Sequence, residues 1–487
     1  MRFIFKIFLL LNIATVCILS SCNDDDFGSY SKGTLAFSTD TLTFDTIFST
    51  VGSTTKKILV YNRTKQSINI LSIALKGENN SPFRLNVDGS LSATNSFRNV
   101  EIAARDSIFI FVEATVNPQN SDLPVLVVDS IVFETENKVQ NVILEAYGQD
   151  VEIFDNKIIY NDTILSPRKP YLIRGYLVVD YNKTLTIPAG CKFFFHNNAN
   201  LIVYGNLVVN GTFDEPVEMR GDRLDRINFS TSAKYNVIAG QWDGIYLLGK
   251  NANHQLKNLY INSANVGIYF SNDDRTLTPS LEIENCRIHN HVYYGLVVQN
   301  GNVIVKNSEI SNTGSYTVYL SGGNHVFLQS TIANYYDRNP FAPTRRDKSP
   351  AVVMQLLDKV SPMTAEFKNC IIAGTLDNEF SIVDRFVEQF NGSFSNSYIH
   401  RTKVFELPQF SEICWSAKND TVFKFPNFDY KTEKYFDFTP DSVSPARDIA
   451  DPILAAQFPL DLNGKNRLAD GKPDAGAYEW LPSETEE

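Results

Sequence analysis

The segment Leu256-Lys-Asn-Leu-Tyr-Ile261 carries a six-residue pattern: an apolar residue, any residue, Asn, two further residues and Ile. The pattern returns five times before residue 400, with Gln in place of Asn in one copy. Its amide residues are Asn258, Asn285, Asn307, Gln329, Asn369 and Asn396. They lie 27, 22, 22, 40 and 27 residues apart. A fixed phase over such a period is the signature of stacked structural repeats.

The sequence between these amides predicts β-strands. Each interval contains several short apolar runs, and none has the 3.6-residue spacing of a helix. If each interval makes one turn about a common axis, equivalent residues stack at about 4.8 Å, the distance between neighbouring strands. The amides then form a structural ladder of hydrogen bonds along that axis. Six unrelated edge strands of a large sandwich are the alternative, but they would not keep an amide at one phase.

This repeat resembles the right-handed parallel β-helix family, which includes pectate-lyase-like enzymes and many bacterial surface proteins. The resemblance implies a right-handed parallel β-helix over residues 151–425. It implies no particular activity, because one fold carries many functions.

Residues 35–150 alternate short apolar runs with polar turns such as Gly52-Ser53 and Asn117-Pro118, which predicts an immunoglobulin-like β-sandwich. Phe44-Asp-Thr46, Val60-Tyr-Asn62 and Ala146-Tyr-Gly148 resemble the Hydin-type immunoglobulin-like domains of bacterial surface lipoproteins. That resemblance implies a stalk or contact surface. The whole chain is therefore predicted to be all-β: an N-terminal sandwich, then the β-helix, then a C-terminal cap.

The N-terminus predicts a targeting segment over residues 1–21. Arg2 and Lys6 precede an apolar stretch that is too short to span a membrane comfortably. It ends in Leu19-Ser-Ser-Cys22, which resembles a bacterial lipobox and implies lipidation of Cys22. An ordinary signal peptide followed by an incidental Cys is the alternative.

Residues 22–34 form an acidic tether. Asn23-Asp-Asp-Asp26 resembles the surface-export signal of Bacteroidetes-type lipoproteins, with a solvated linker as the alternative. These resemblances imply an outer-membrane protein held by acyl chains. They place it on the cell exterior, although export could also stop at the periplasmic face.

The charge balance excludes one class of partner. The chain has 44 Lys and Arg against 55 Asp and Glu, a net charge of -11. Binding to nucleic acid needs a basic surface, so no nucleic-acid partner is predicted. Cys286 and Cys370 follow the amide column about three coils apart, roughly 14 Å, too far for a disulfide. They are predicted to be small residues in one column with Ser308 and Ser330.

The longest interval exceeds a 22-residue coil by 18 residues, which correspond to 333–350. This polar, Pro-containing insertion is predicted to project as a loop, and loops on rigid scaffolds often bind ligands. A simple insertion without function is the alternative. Its candidate ligand-binding residues are Tyr335, Tyr336, Arg345 and Arg346.

Residues 426–487 have a different pattern. Asp461-Leu-Asn-Gly464, Arg467 and Asp474-Ala-Gly-Ala-Tyr-Glu479 resemble the choice-of-anchor Q segment of secreted β-helix proteins, with Ala475 in place of its usual Ile. Because the end of a solenoid exposes unpaired strand edges, this segment is predicted to cap it. Arg467 is expected to pair with Asp474 or Glu479, and Tyr478 and Trp480 to cover the last coil. A sorting signal is the alternative.

Strand alternation predicts that Tyr246, Tyr269, Val297 and Tyr319 form one external column. A row of tyrosines offers apolar rings with hydroxyls at their edges, which suits the binding of sugars. Aromatic stacking that only stiffens the sheet is the alternative.

No catalytic set emerges from the sequence. A β-helix lyase needs acids that hold Ca²⁺ and a basic residue on one wall. The acids Asp273, Asp274, Asp358, Asp384 and Glu388 do not recur in one column, and no Lys or Arg matches them. His289-Asn-His291 lacks a third ligand, so neither a metal nor a cofactor is predicted.

Three functions remain open. The favoured one is a surface-anchored, non-catalytic binding or adhesion protein whose β-helix wall contacts glycan or a partner protein. The second is a polysaccharide lyase or hydrolase, and the third is an architectural envelope protein.

Overall fold

The computed structural model describes residues 33–228, 231–272, 274, 277, 279–355, 363–383, 391–416, 421–429 and 434–482. The chain separates into two compact units, one ending at Asp150 and the other beginning at Val151.

The N-terminal unit is a sandwich of two five-stranded sheets. One sheet has the order β1-β3-β8-β5-β6 and the other β2-β10-β9-β4-β7, and all pairs are antiparallel except β2 with β10. The strands are β1 (Ala36–Phe37), β2 (Thr41–Phe48), β3 (Lys56–Tyr61), β4 (Ile68–Leu75), β5 (Phe83–Val87), β6 (Ser90–Leu91), β7 (Ser96–Ile102), β8 (Ser107–Ala114), β9 (Val125–Thr135) and β10 (Val139–Gln149). Inward residues alternate with outward ones along β8, which confirms the predicted sandwich pattern.

The second unit contains a 26-stranded parallel sheet. Its strands are β11 (Glu152–Ile159), β12 (Thr163–Ile164), β13 (Tyr171–Val179), β14 (Thr184–Pro188), β15 (Lys192–Phe195), β16 (Asn200–Val203), β17 (Asn206–Asn210), β18 (Val217–Gly221), β21 (Trp242–Leu247), β22 (Asn253–Lys257), β23 (Leu259–Asn262), β24 (Ala264–Ser271), β25 (Ser280–Glu284), β26 (Arg287–His291), β27 (Tyr294–Gln299), β28 (Asn302–Lys306), β29 (Glu309–Thr313), β30 (Val318–Ser321), β31 (Gly323–Leu328), β32 (Thr331–Asn334), β33 (Val352–Gln355), β34 (Met363–Lys368), β35 (Ile371–Gly374), β36 (Phe380–Val383), β37 (Asn391–Ile399) and β38 (Phe410–Trp415).

Short elements complete this unit. Two antiparallel hairpins are β19 (Arg226–Asn228) with β20 (Thr231–Lys234) and β39 (Phe423–Asp429) with β40 (Lys434–Pro440). The described helices are 3-10 turns at Tyr235–Val237 and Tyr336–Arg338 and helix α1 (Pro452–Ala455), while the sandwich has one 3-10 turn at Glu78–Asn80. None of the described helices is long and apolar enough to cross a membrane.

From β21 to β34 each strand pairs with the third strand after it, so each coil contributes one strand to each of three faces. Face A consists of β16, β21, β24, β27, β30, β33 and β36. Face B consists of β14, β17, β22, β25, β28, β31, β34 and the first half of β37. Face C consists of β15, β18, β23, β26, β29, β32, β35 and the second half of β37. The unit is a right-handed parallel β-helix, as the resemblance implied, in the hand that parallel connections favour.

The six amide residues lie at the corner between faces B and C. The flanking pattern residues stack in register, for example Leu256 on Ile283 and Ile261 on Ile288. Every amide residue has a positive φ, between 42° and 55°. This left-handed region disfavours most L-residues but tolerates Asn. The corner therefore selects Asn for its backbone as well as for its side chain.

The cysteine column is confirmed. Cys286 and Cys370 are free and buried, and the Cys286 amide donates to Ser308 Oγ at 3.0 Å. Burial raises the pKa of each of these two thiols to about 12. They serve as small core residues.

Stacked phenylalanine rings fill the end of the helix. The ring centroids of Phe327, Phe367, Phe394 and Phe410 follow one another at 4.5, 5.1 and 4.4 Å. Phe405 and Trp415 pack on Phe410. These aromatic side chains pack at the last coil, the place expected for Tyr478 and Trp480.

Candidate functional site

The outer surface of face A carries the predicted tyrosine column. Tyr246 pairs in register with Tyr269, Tyr269 with Val297, and Val297 with Tyr319. The neighbouring residues Ile268 and Phe270 are completely buried. The three tyrosines therefore lie on the outside, half-buried, as strand alternation requires.

A second column of tyrosines lies beside the first, and the sequence pattern did not reveal it. Tyr294 and Tyr316 occupy successive coils with nearly parallel rings, 6.0 Å between centroids, and Tyr316 lies 5.7 Å from Tyr319. Strict alternation from Leu296 would have turned Tyr294 inward. The sequence did contain an indication of this column: Tyr294 directly precedes Gly295, and Tyr316 directly precedes Thr317, at equivalent positions of successive coils.

Gly295 explains the departure from alternation. A Cβ at this residue would lie 2.7 Å from Ile310 Cγ2 and 2.6 Å from the Thr317 carbonyl oxygen, so the position faces the helix interior. Leu296 also points inward and is completely buried. Two consecutive inward positions at this corner leave Tyr294 outside. We call Tyr246, Tyr269, Tyr294, Tyr316 and Tyr319 the tyrosine face.

A polar column borders the tyrosine face on its other side. Ser271 pairs with Gln299, and Gln299 with Ser321. The Tyr269 hydroxyl donates to Gln299 Oε1 at 2.8 Å, and the Tyr319 hydroxyl donates to Gln355 Oε1 at 2.6 Å. Within the described part of the chain, neither glutamine Nε2 has a protein acceptor. The amide groups of Gln299 and Gln355 are thus held in place by tyrosines and can donate to a ligand.

The strands of the tyrosine face carry almost no charge. Burial raises the pKa of Tyr246, and the nearby Asp243 carboxylate raises it further. Burial also raises the pKa of Tyr319. Strands β21, β24, β27, β30 and β33 contain no Lys or Arg, and Asp243 is their one acidic residue. These five strands can offer a ligand hydrogen bonds and apolar contacts but no cation.

Face B has a different surface chemistry. Its outward residues form ion pairs. Lys257 pairs with Glu284 at 3.0 Å and Lys306 with Glu282 at 2.6 Å, each on a neighbouring strand, and Lys368 pairs with Glu366 at 2.7 Å within one strand. Each partner is more than a quarter exposed. Pairs of this kind contribute little to stability and are typical of a solvated face.

The C-terminal segment (residues 446–479) covers much of face C. Ala475 and Ala477 belong to one buried cluster with the outward residues Ala333, Ile371 and Tyr398. The Tyr478 hydroxyl donates to the carboxylate of Glu309. This segment was expected to cap the end of the solenoid. That expectation was wrong for Tyr478, which lies against the side of the coils.

The amide ladder also binds the C-terminal segment. Direct amide pairs form from Asn307 to Asn285 at 2.8 Å and from Asn369 to Gln329 at 2.9 Å. The Gln329 amide donates to the Asp474 and Gly476 carbonyl oxygens at 2.7 and 3.0 Å. The remaining two amides donate to backbone carbonyls, Asn258 to Gly211 and Asn396 to Ile449. The expected ladder is therefore interrupted at Asn258 and Asn396, whose side chains donate to the backbone and not to the next amide in the column.

Arg467 Nη1 lies 3.7 Å from Glu479 Oε2, one of its two expected partners, and Arg467 Nη2 donates to Asn307 Oδ1 at 2.5 Å. Asp474 accepts instead from the backbone amides of Asp448 and Trp480. Burial lowers the pKa of Arg467 to about 10. Burial and the Asp474 carboxylate raise the pKa of Glu479 to about 9.

The insertion at 333–350 does not project as expected. Tyr335 is 6% exposed and packs on Phe423 and Phe438, and Tyr336 is completely buried. The Arg346 side chain is 2% exposed and binds Glu379. These three residues are structural because their side chains contact other parts of the chain. Arg345 alone of the four candidates is exposed.

Within the described residues, no group of three His, Cys, Asp or Glu side chains that could hold a metal ion occurs. His291 is completely buried, and desolvation followed by the neighbouring His289 lowers its pKa to about 3. Of the candidate acids, Asp274 lies in a turn closed by the Asn272 side chain. Cys22, Asp273, Asp358, Asp384 and Glu388 lie outside the described residues.

No family model and no curated protein matches the chain. Among solved structures it is similar to Dex49A from Penicillium minioluteum, at 9% identity over 74% of each chain with a TM-score of 0.19. It is also similar to a family 123 glycoside hydrolase from Clostridium perfringens, at 7% identity over 28% of this chain with a TM-score of 0.19. The chain covers 31% of that hydrolase chain. These TM-scores are too low to support an argument about fold or activity.

Proposed function

We propose that this protein is a surface-anchored, non-catalytic glycan-binding lipoprotein and that the tyrosine face is its binding surface. The main support for the proposal is a pair of hydrogen bonds on face A. The Tyr269 hydroxyl donates to Gln299 and the Tyr319 hydroxyl donates to Gln355. Aromatic side chains with a polar edge suit ligands that have both apolar ring faces and hydroxyl groups. Glycans have this combination.

The contrast among the three faces supports the choice of face A. Face C is occupied by the C-terminal segment, and face B carries exposed ion pairs. Val297, within the tyrosine column, is 4% exposed although it points outward, so the rings pack closely around it. A close-packed aromatic surface is preorganised for binding because little side-chain entropy remains to be lost.

The test is a glycan array probed with the full-length protein and with the double variant Tyr269→Ala/Tyr319→Ala. Binding to at least one glycan class should fall roughly tenfold or more in the variant, as expected for central aromatic contacts. Tyr160→Ala is the matched control, because Tyr160 is 61% exposed and lies outside the tyrosine face. Equal binding by all three proteins, or binding only to a partner protein, would overturn the proposal.

Cellular placement forms a separate part of the proposal. The lipobox-like Leu19-Ser-Ser-Cys22 and the following acidic run support anchorage of Cys22 in the outer membrane, facing the exterior. The Hydin-like sandwich would then act as a stalk, and the choice-of-anchor-like C-terminal segment as part of the scaffold. Cys22→Ala should abolish labelling by a clickable fatty acid and release the protein from the membrane fraction. Retention of the label would contradict lipidation at Cys22.

A further inference from the structure

We infer that the ligand of the tyrosine face is an uncharged glycan chain that lies across the strands, parallel to the helix axis, and accepts hydrogen bonds from Gln299 and Gln355. This inference rests on the proposed function and adds to it the charge, the orientation and the minimum length of the ligand.

The charge of the ligand follows from the composition of face A. Its five central strands contain no Lys or Arg, and their single acid, Asp243, lies beside Tyr246. The whole chain carries a net charge of -11. A polyanionic glycan would approach a protein of net negative charge and would find no cation on these five strands. The exposed Arg345 and Lys348 lie outside the strands, on the segment that contacts Gly314 and Ser315. An uncharged glycan meets neither obstacle.

The polarity of the hydrogen bonds follows from the tyrosine–glutamine contacts. Each tyrosine hydroxyl donates to a glutamine Oε1, at 2.8 Å for Gln299 and 2.6 Å for Gln355. Ser271 also donates to Gln299 Oε1, at 3.2 Å. Gln299 Oε1 thus accepts two hydrogen bonds and Gln355 Oε1 one, and the Nε2 groups of both glutamines are available as donors. A ligand that binds these Nε2 groups must supply acceptors, and the ring and hydroxyl oxygens of a neutral sugar do so.

The orientation follows from the repeat. The two tyrosine–glutamine pairs are two coils apart, so they recur along the helix axis at about 10 Å. Between them lies Val297, an apolar residue at the same column position. A ligand that contacts both pairs must extend along the axis for at least this distance. A single sugar cannot do so, whereas an oligosaccharide can.

Binding of matched oligosaccharides to the full-length protein tests charge and length. The neutral probes are cellohexaose, mannohexaose and xylohexaose with their disaccharides, and the acidic probes are hexagalacturonate and a heparin hexasaccharide. At least one neutral hexasaccharide should bind, about tenfold or more tightly than its disaccharide and than either acidic probe. Its affinity should be the same in about 20 mM and about 500 mM NaCl, because no ion pair is screened.

A charge variant tests the role of the glutamines. Gln299→Glu/Gln355→Glu replaces each amide donor by a carboxylate and should weaken neutral binding about tenfold or more. Gln255→Glu, the same change at an exposed position on face B, should leave it unchanged. A neutral affinity that survives the double change would overturn the assignment of these two donors.

The outcomes separate this inference from the proposed function. The acidic probes could bind more tightly than the neutral ones, with an affinity that falls as salt is added and that is lost in Tyr269→Ala/Tyr319→Ala. In that case the tyrosine face binds glycans, but the inference of a neutral ligand is wrong. If a neutral disaccharide binds as tightly as its hexasaccharide, the axial orientation is wrong. If no probe binds, both the inference and the proposed function fail.

Discussion

Arg346 and Glu379 form a buried ion pair that joins the insertion at 333–350 to the coil after it. Arg346 donates to the two carboxylate oxygens at 2.9 and 2.5 Å, and its side chain and that of Glu379 are 2% and 0% exposed. The Arg346 guanidinium also donates to the Asn334 carbonyl oxygen at 2.7 Å. The insertion is thereby held against the helix rather than left free to bind a ligand.

Removing the arginine should destabilise the protein strongly. Arg346→Met leaves the Glu379 carboxylate buried without its cation, so we expect a loss of about 3–5 kcal/mol in the free energy of unfolding. Urea unfolding followed by tryptophan fluorescence measures this loss, since Trp242, Trp415 and Trp480 all belong to the second unit. Arg345→Met, at the exposed neighbour, should change stability by no more than about 0.5 kcal/mol. A similar small effect for both variants would show that the ion pair has no stabilising role.

The amide corner should depend on both backbone conformation and hydrogen bonding. Asn369 has a φ of 53°, donates to Gln329 and to the Asp451 carbonyl oxygen, and accepts from the Asp451 amide. Asn369→Ala loses these three hydrogen bonds and places an alanine in the left-handed region. The expected cost is about 4–5 kcal/mol, from roughly 1 for each hydrogen bond and 1–2 for the backbone.

Two comparison variants separate those contributions in the same denaturation assay. Asn369→Gly loses the hydrogen bonds without the backbone penalty and should be less destabilised than Asn369→Ala by about 1 kcal/mol. Asn198→Ala changes an exposed residue with a φ of 60° and should cost only the backbone contribution. If Asn369→Ala costs no more than Asn198→Ala, the side-chain contacts at the corner do not stabilise the fold.

Buried histidines should make the protein sensitive to acid. Desolvation lowers the pKa of His254 to about 4 and that of His325 to about 3. In the unfolded chain each binds a proton near pH 6.5. Between these values the unfolded state binds more protons, so this contribution to stability is complete above about pH 6.5 and is lost as the pH falls.

His325→Leu should remove one part of this dependence. His325 lies inside face B between Val303 and Ala365. Relative to the wild type, the variant should gain up to about 1.4 kcal/mol in the free energy of unfolding for each pH unit below 6.5. Denaturation at about pH 7.5, 6 and 4.5 measures the difference. A difference that stays constant across these pH values would contradict a buried neutral histidine.

Glu479 should have the opposite effect at higher pH. Burial and the Asp474 carboxylate raise its pKa to about 9, above the value of roughly 4.3 in an unfolded chain. The folded state therefore binds the extra proton, and the stability contributed by the protonated carboxyl is lost as the pH rises towards 9. Glu479→Gln keeps the shape but cannot lose a proton.

The same denaturation assay tests this assignment between about pH 6 and pH 9. The stability of Glu479→Gln relative to the wild type should increase with pH, by at most about 1.4 kcal/mol per unit. Parallel pH profiles for the two proteins would indicate that Glu479 is ionised in the folded state at neutral pH.

The periodicity of the sequence was sufficient to predict the β-helix, its three-coil separation of Cys286 and Cys370, and the outward column of Tyr246, Tyr269 and Tyr319. These features depend on the period of the repeat and on strand alternation, which are local properties of the chain. The recurring Asn also indicated the left-handed φ at the corner, but from the sequence this Asn was explained only by its hydrogen bonding.

The tertiary structure alone decided which of these surfaces are free. Tyr335, Tyr336 and Arg346 resemble loop residues in sequence, yet contacts with residues far along the chain bury them. Tyr294 joined the tyrosine face because two consecutive inward positions at Gly295 and Leu296 break the alternation. The C-terminal segment lies along face C because amides such as Gln329 offer donors to its carbonyl oxygens. A repeat pattern specifies which residues stack, whereas coverage depends on long-range packing that no local pattern encodes.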